Sequence, residues 1–280
     1  MSVELPEAKI LADQMNKELK GKLIKSYHLK DYKRLQKIGM MDKDLKSFER
    51  LINRKIESVS SRGNAIRLKL SSEMNLILAP EYGGKIFYHK NEKTAPSKFH
   101  LKVDFSDKTA LTVRLTSMGL IHAMKDNELE QSYVYRRDFN PDVISPIDEE
   151  FTFNRFSKLL ADNNRMLKSV LVGKDAVVVG LSNSAFQDII YRAKLHPKRK
   201  AMELNEEEKQ SLFIAVGLVL KERIRLNGKD QFHDLYGNRG GYTPAMGPNM
   251  KQQNCKVCRT PIEKLGIGGG HVYLCPQCQV

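Results

Sequence analysis

The sequence predicts an α+β protein in which an N-terminal helix and a set of antiparallel strands precede a helical domain and a zinc ribbon. Two features support this fold class. The spacing of apolar residues is helical in residues 5–19, alternates as in strands between residues 66 and 115, and is helical again after residue 150. In addition, all four cysteines of the 280-residue chain lie between residues 255 and 278.

The N-terminal half contains one predicted helix and four predicted strands. Residues 5–19 are expected to form the helix, because apolar residues recur there at every third or fourth position. Apolar and polar residues alternate in the strand candidates 99–105 and 111–115, and 66–70 and 76–78 are further candidates. Such alternation is typical of antiparallel sheets with one buried face. The strand region ends before Asn140-Pro141, and a linker is predicted near 140–147.

The second half begins with helical periodicity. Four helices are predicted, at 151–160, 164–172, 184–193 and 205–225. The last helix has the strongest start signal, with Asn205 as N-cap and Glu208 in position to complete a capping box. Asn227-Gly228 is expected to close it. Residues 230–250 are rich in Gly, Pro, Asn and Tyr and are predicted to be an extended loop.

The four cysteines form two C-x2-C pairs separated by 16 residues: Cys255, Cys258, Cys275 and Cys278. This spacing is typical of a zinc site with four thiolate ligands. Each pair places two thiolates on one side of the metal, and two pairs complete a tetrahedron. Four protein ligands leave no open position, so one structural rather than catalytic Zn²⁺ is expected per chain. Two disulfides or a redox pair are the alternatives that the spacing leaves open.

The charge of the chain suggests a polyanionic partner. Lys and Arg number 47 against 33 Asp and Glu, which gives a net charge of +14. Such an excess favours binding to nucleic acid or to an anionic membrane surface, although a merely basic, soluble surface is the simpler alternative. No apolar run reaches the length of a membrane span, and no secretory signal is expected.

Three motifs, taken in order, resemble one family. They are Glu4-Leu5-Pro6-Glu7, then Gly180-Leu181-Ser182-Asn183 followed by Asp188 and by residues 195–199, and finally the zinc module that ends in Cys275-Pro276-Gln277-Cys278-Gln279. Together they are similar to the Fpg/Nei family of bifunctional DNA glycosylases, which remove damaged bases and then cut the strand. The resemblance covers nearly the whole chain.

The resemblance implies an arrangement of domains. It predicts a glycosylase-like β-sandwich domain at 1–140, a helix-two-turn-helix DNA-binding domain at 148–228, a segment similar to the lesion-recognition loop at 229–250, and a zinc finger at 251–280. Aromatic residues of the loop, Phe232, Tyr236 and Tyr242, either stack on a flipped base or pack the loop onto its own domain.

The catalytic end departs from the family pattern. Family members use the amine of an N-terminal proline to attack the sugar C1′, but Val3 occupies that position here. Removal of the initiator methionine would expose the amine of Ser2, one residue further out. Glu4 aligns with the family's proton shuttle and Glu7 with its second carboxylate. The alternative is that both glutamates only stabilise the start of the first helix.

The residues that the resemblance assigns to DNA binding are partly retained. Asn183 is expected to contact phosphate, or else only to cap its helix. Lys198 and Arg199 are candidates for phosphate contacts or for a solvated basic surface. Asn64 stands in place of a family lysine. The positions that fill the gap left by an extruded base hold Tyr82 and, with Thr116, Met118. The zinc-hairpin arginine is replaced by Gly270, beside His271.

These observations support two main functions. The first is a DNA glycosylase/AP lyase of base excision repair that acts on damaged bases, with the Ser2 amine as nucleophile and Glu4 as proton shuttle. The second is a catalytically impaired protein that binds damaged DNA. A monofunctional glycosylase lies between them. Damaged or abasic duplex DNA is the expected partner of a monomer without membrane contact. The expected location is the cytoplasm, on the nucleoid if the source is bacterial.

Overall fold

Residues 3–280 are described by the computed structural model, and they form two compact units. Among these residues, unit 1 comprises 3–140 and 226–241, and unit 2 comprises 141–225 and 242–280. Among the described residues, no helix is both long and apolar enough to cross a membrane. The boundary between the units at residue 241 falls within the segment 230–250, which is predicted to be one loop. The finer domain boundaries stay a prediction.

Unit 1 begins with the predicted helix and continues mainly as β-structure. Its helices are α1 (Leu5–Leu19), α2 (Lys33–Lys37), α3 (Lys46–Glu49) and α4 (Tyr133–Asp138). Its strands are β1 (Ile24–Leu29), β2 (Ile56–Arg62), β3 (Ala65–Leu70), β4 (Met74–Tyr82), β5 (Lys85–His89), β6 (Leu101–Phe105), β7 (Ala110–Arg114) and β8 (Met118–Lys125). The bounds of α1 agree with the prediction from periodicity.

The strands of unit 1 form two four-stranded antiparallel sheets. One sheet has the order β1-β6-β7-β5 and the other β2-β3-β4-β8. Apolar side chains from both sheets and from α1 share one buried cluster, which includes Met15, Leu68 and Leu111. Burial of this apolar surface is the main stabilising contribution to the unit. The expected β-sandwich is confirmed.

Four strands of the sandwich were not predicted, namely β1, β2, β5 and β8. The pairing of β1 with β6 shifts register between Ile24 and Ser26, and the pairing of β2 with β3 shifts between Ile56 and Ser58. Such irregularities interrupt the two-residue alternation by which a strand is recognised in sequence. The four predicted strands are β3, β4, β6 and β7.

Unit 2 contains the four predicted helices and a hairpin. They are α5 (Phe153–Ala161), α6 (Leu167–Leu171), α7 (Asn183–Arg192), α8 (Glu206–Arg225), β9 (Glu263–Ile267) and β10 (Gly270–Leu274). The capping box of α8 is confirmed. The Glu208 amide donates to Asn205 Oδ1 at 2.9 Å, and the Asn205 amide donates to Glu208 Oε2 at 2.9 Å.

Two helices have bounds that differ from the sequence prediction. The helix expected at 164–172 is shortened to α6, because Met166 is extended and forms a bridge with Lys200 instead of entering the helix. The helix expected at 184–193 is confirmed as α7, with bounds one residue earlier. Lys194 adopts the left-handed conformation, with φ of 58°, directly after Ala193 caps α7. The helix is therefore closed by a local turn, as is common at helix C-termini.

Candidate functional site: a zinc ribbon and a buried carboxylate

The four cysteine sulfurs converge as the spacing predicts. All four Sγ atoms lie within 4.8 Å of one another, with Cys255 and Cys278 at 3.8 Å and Cys258 and Cys275 at 3.4 Å. No pair is a disulfide. Four thiolates around one Zn²⁺ lie about 3.8 Å apart, as Zn–S bonds of about 2.3 Å require. The residues therefore fit one structural zinc ion, and the hairpin β9–β10 joins the two pairs.

Buried glutamines attach the ribbon to helix α7 within unit 2. The Gln279 side chain accepts from the Cys275 amide at 3.0 Å and donates to the Leu195 carbonyl at 3.0 Å. Gln187 Oε1 accepts from the Tyr273 amide at 2.7 Å. Satisfying these buried polar groups fixes the ribbon on the helix. Loss of the zinc is therefore expected to disturb the surface around α7 as well.

Asn183 is the first residue of α7 and contacts the zinc hairpin. Its Nδ2 donates to the His271 carbonyl at 2.7 Å, while its Oδ1 is buried without a hydrogen-bond partner. Gly180, with φ of 82°, turns the chain just before the helix. The structure thus places Asn183 beside His271, whose side chain is exposed.

A cation that sequence reasoning missed lies under the same hairpin. Lys168 of α6 is only 6% exposed, and its Nζ donates to the Ile267 carbonyl at 2.8 Å. A Cβ placed on Gly270 would lie 3.5 Å from this ammonium. Burial lowers the pKa of Lys168. Lys168 and Ile267 are 99 positions apart, so no local pattern in the sequence predicts the contact.

The two basic candidates after α7 have different surroundings. Lys198 is exposed. Arg199 is half-buried and forms two hydrogen bonds with the Glu208 carboxylate, each of 3.0 Å. Since Glu208 also completes the capping box of α8, Arg199 is committed to holding the start of that helix. Of the two, only Lys198 has a side chain directed to solvent.

Val3, which stands where the resemblance predicts a proline, is buried at the start of unit 1. The Val3 amide donates to the Glu81 carbonyl at 2.9 Å, and Val3 is 1% exposed. This nitrogen belongs to a peptide bond, so its lone pair is delocalised and it is not a nucleophilic amine. Ser2, the predicted nucleophile, lies outside the described residues.

Both glutamates of the first motif are fully buried, each at 0% exposure. Glu4 is the N-cap of α1, and its amide donates to Glu7 Oε2 at 3.1 Å in a capping box. Glu7 Oε1 accepts from the Lys229 amide at 3.2 Å. Glu7 therefore ties the helix start to the segment after α8. This structural role accounts for Glu7 without assigning it a chemical step.

Lys229 also faces Glu4, the first glutamate of the motif. Its Nζ lies 3.5 Å from Glu4 Oε2, and the residue is 5% exposed. A buried carboxylate and a buried ammonium stabilise each other's charges, because either alone would be strongly disfavoured away from water. The pair brings an amine to the carboxylate that the sequence singled out. Sequence reasoning did not find Lys229, because Glu7 and Lys229 are 222 positions apart.

Asn64 lies in the turn between β2 and β3, next to a network of charges. Its amide donates to Asp138 Oδ2 at 3.1 Å, and its side-chain Oδ1 is buried without a partner. Arg137 forms two hydrogen bonds of 2.7 Å with Asp138 and one of 2.5 Å with Glu81. Although burial alone would lower the pKa of Arg137, these carboxylates raise it. A cation thus remains close to the turn where the family has lysine.

Tyr82 and Met118 are brought together at the end of one sheet. They face each other in the pairing of β4 with β8, and they are 51% and 57% exposed. Exposed large apolar side chains at adjacent positions are available to contact a partner. A contact of Tyr82 and Met118 with DNA stays a prediction.

The three aromatic candidates of the loop do not act alike. Phe232 is 1% exposed in the core of unit 1, and Tyr242 is 4% exposed in unit 2, where its hydroxyl donates to Asp188 Oδ2 at 2.5 Å. Tyr236 is exposed, and its hydroxyl donates to Glu18 at 2.8 Å. Packing, one of the two alternatives, accounts for Phe232 and Tyr242. Only Tyr236 keeps an exposed ring.

Three family models match the chain in order. The formamidopyrimidine-DNA glycosylase N-terminal domain matches residues 3–116, the formamidopyrimidine-DNA glycosylase H2TH domain matches residues 143–233, and the zinc finger found in FPG and IleRS matches residues 253–280. The fold and the thiolate site thus define a protein of the zinc-finger, helix-two-turn-helix class with a glycosylase-type β-sandwich. The chain belongs to the Fpg family, which confirms the resemblance drawn from its motifs.

Relatives and solved structures agree over the full length. The formamidopyrimidine-DNA glycosylases of Ligilactobacillus salivarius and Bacillus cereus are 25% and 26% identical, over 99% of this chain and 98% of theirs. The MutM (Fpg) crystal structure from Thermus thermophilus has a TM-score of 0.82 at 21% identity, covering 99% of this chain and 98% of that one. The Lactococcus lactis Fpg complex with abasic-site DNA has a TM-score of 0.83 at 21% identity, covering 99% of both chains.

Proposed function

We propose that the protein is a DNA glycosylase/AP lyase of base excision repair that acts on damaged or abasic duplex DNA. The observation that carries this proposal is the buried Glu4 carboxylate, held at the start of α1 by the capping box and accompanied by an amine. The full-length likeness to formamidopyrimidine-DNA glycosylases supports it, as do the Lactococcus lactis complexes with abasic-site and Fapy-dG DNA.

Glu4 is the proton shuttle in this proposal. A carboxylate in a site closed to water carries a proton between the attacking amine and the sugar oxygen. Glu7 positions it, because it accepts from the Glu4 amide and from the Lys229 amide. The nucleophile is an amine other than the Val3 nitrogen, and the Ser2 amine is the candidate that the sequence offers.

The proposed grip on DNA uses residues of both units. In unit 2, Asn183, Lys168 and the exposed His271 surround the β9–β10 hairpin and offer donors to a phosphate. Lys198 adds an exposed positive charge. In unit 1, Tyr82 and Met118 replace the stacking that is lost when a base leaves the helix. Asn64 carries no charge, so any phosphate contact there depends on the nearby Arg137.

A damage-binding protein without lyase activity is the second candidate. The observation that favours it is the Val3 amide, which is bonded to Glu81 where the family has a reactive nitrogen. The uncharged Asn64 and Gly270 point the same way. A monofunctional glycosylase, in which Glu4 activates water, would retain base release without covalent attachment.

The remaining parts of the proposal concern the zinc ion, the oligomeric state and the location in the cell. One structural zinc ion holds the ribbon. We propose a monomer that works in the cytoplasm, on the nucleoid if the source is bacterial, without contact to a membrane.

Strand cleavage tests the proposed function. A duplex with one abasic site, and others with single oxidised purines, are incubated with an excess of tag-free protein, and nicking and base release are followed in single turnover. The proposal expects both products with the wild type. It also expects a loss of about 10²- to 10⁴-fold in Glu4→Gln, as for a removed general acid–base. Exposed Glu57→Gln is the matched control. Selective binding without either product would establish the second candidate.

A further inference from the structure

We propose that Lys229 supplies the amine that forms the covalent Schiff base with the sugar, in place of the missing N-terminal proline. This inference rests on the proposed lyase function. It starts from the ammonium of Lys229, which lies 3.5 Å from Glu4 Oε2. A nucleophilic amine and a carboxylate that takes its proton are the two groups which imine formation requires.

The position of Lys229 is fixed on both sides. Gly228, with φ of 88°, turns the chain just after α8, and a Cβ there would lie 2.5 Å from a ring atom of Phe232. Phe232 is in the core of unit 1, and the Lys229 amide is held by Glu7. The backbone of Lys229 is therefore anchored while its side chain points to Glu4. Catalytic groups need such anchoring, since small displacements are costly.

The environment suits an amine nucleophile. Lys229 is 5% exposed and Glu4 is not exposed at all, so their proton exchange is shielded from bulk water. The four-carbon side chain of lysine is flexible, so its amine can change position. Neither an arginine guanidinium nor a peptide nitrogen can replace that amine as a nucleophile. The Val3 amide, by contrast, is bonded to Glu81.

The step balances with an abasic site as substrate. The neutral amine of Lys229 attacks the C1′ aldehyde of the ring-opened sugar, and a bond forms between Nζ and C1′. The C1′ oxygen leaves as water and takes both hydrogens of the amine, one of them relayed by Glu4. The resulting imine draws electrons from C2′, the C2′ proton passes to the Glu4 carboxylate, and the C3′–O bond breaks so that the 3′ phosphate leaves. Water then hydrolyses the imine and returns the free amine.

Borohydride trapping with site mapping tests this assignment. Tag-free wild-type protein is mixed with an abasic-site duplex, the imine is reduced to a stable amine, and the modified peptide is identified by proteolysis and mass spectrometry. The proposal expects the adduct on residue 229. It also expects loss of the adduct in Lys229→Arg, which keeps the charge opposite Glu4, and an unchanged yield in Lys85→Arg, an exposed control. Binding to the duplex is measured in parallel.

The alternative results separate the two proposals. An adduct on the N-terminal amine, or one unaffected by Lys229→Arg, would overturn the role of Lys229 and leave the lyase function intact. No adduct in the wild type, with selective binding to the abasic duplex, would overturn the role of Lys229 and the lyase together. Mapping on the wild type gives its answer even if the arginine variant fails to fold.

Discussion

The two ends of the chain follow the family pattern to different degrees. In unit 2, all four thiolates are present and converge within 4.8 Å, so the zinc ribbon is complete. In unit 1, the glutamates of the first motif are present, while Val3 and Asn64 occupy the positions where the resemblance predicts a reactive proline and a lysine. The zinc ribbon has therefore kept its full set of ligands, while residues of unit 1 that are expected to react with DNA have been replaced.

The rearranged end contains substitutes that only the fold brings into place. Lys229 reaches Glu4 from the segment after α8, and Arg137 reaches the turn that holds Asn64. In unit 2, Lys168 similarly lies under Gly270. Asn64 and Gly270, which stand where the resemblance predicts a lysine and an arginine, are each accompanied by a basic residue from elsewhere in the same unit.

Removal of one zinc ligand is expected to have the largest effect on DNA binding. Cys275→Ser should abolish the stoichiometric zinc and unfold the ribbon, because structural zinc contributes roughly 10–16 kcal/mol to the folding of small zinc modules. Affinity for an abasic duplex should then fall on the order of tenfold or more. Metal content and fluorescence anisotropy measure the two effects.

Val257→Ala is the matched control for the zinc variant, since Val257 lies between two ligands but is 74% exposed. It should keep both zinc and affinity. If Cys275→Ser lost its zinc but bound DNA as tightly as the wild type does, the ribbon would not contribute to DNA binding.

The cation under the hairpin is expected to have the next largest effect. Lys168→Met should weaken binding to all duplexes alike and reduce the slope of log affinity against log salt by about 1, as the loss of one phosphate contact does. Asn183→Ala should weaken binding without changing that slope, because its side chain is neutral. The exposed Lys174→Met is the control. An unchanged slope in Lys168→Met would remove Lys168 from the phosphate site.

The helix cap in unit 2 gives a smaller, purely structural effect. Asn205→Ala should lower the free energy of unfolding by about 1 kcal/mol, since it removes the bond between the Glu208 amide and the Asn205 side chain. Asn205→Ser, which can cap equally well, should restore it. Urea denaturation measures the change. Equal stability of the alanine variant and the wild type would contradict the capping role.

The stability of unit 1 is expected to depend weakly on pH. Burial, together with nearby Arg114, lowers the pKa of His100, and its Nδ1 accepts from the Leu115 amide at 2.9 Å. Because the pKa in the folded state is below the unfolded value of 6.5, the unfolded chain binds the proton first. Stability is therefore full above about pH 6.5 and falls as the pH decreases through that value.

Thermal unfolding between pH 7.5 and 5.5 measures this dependence. The wild type should melt at a lower temperature at pH 5.5, and His100→Gln, which keeps an acceptor without a titrating group, should lose less. If the variant lost as much as the wild type, protonation of His100 would not be a source of the acid sensitivity.

The success of sequence reasoning followed the range of the interactions involved. Helix α1, the capping box at Asn205 and each C-x2-C pair depend on residues within a few positions of each other, so their spacing was sufficient. Strands β1 and β2, whose pairings shift register, were missed. The partners of Glu4 and Asn64 come from distant segments, and only the folded chain reveals Lys229 and Arg137.

The affinity of Glu4→Gln for an abasic duplex, measured on the same preparation as its strand cleavage, tests whether binding and reaction are carried by different ends of the chain. If the retained end binds DNA and the rearranged end carries out the reaction, the variant should lose cleavage by about 10²- to 10⁴-fold and bind the duplex at least as tightly as the wild type. Loss of binding together with cleavage in a variant that still folds would contradict the separation of the two ends.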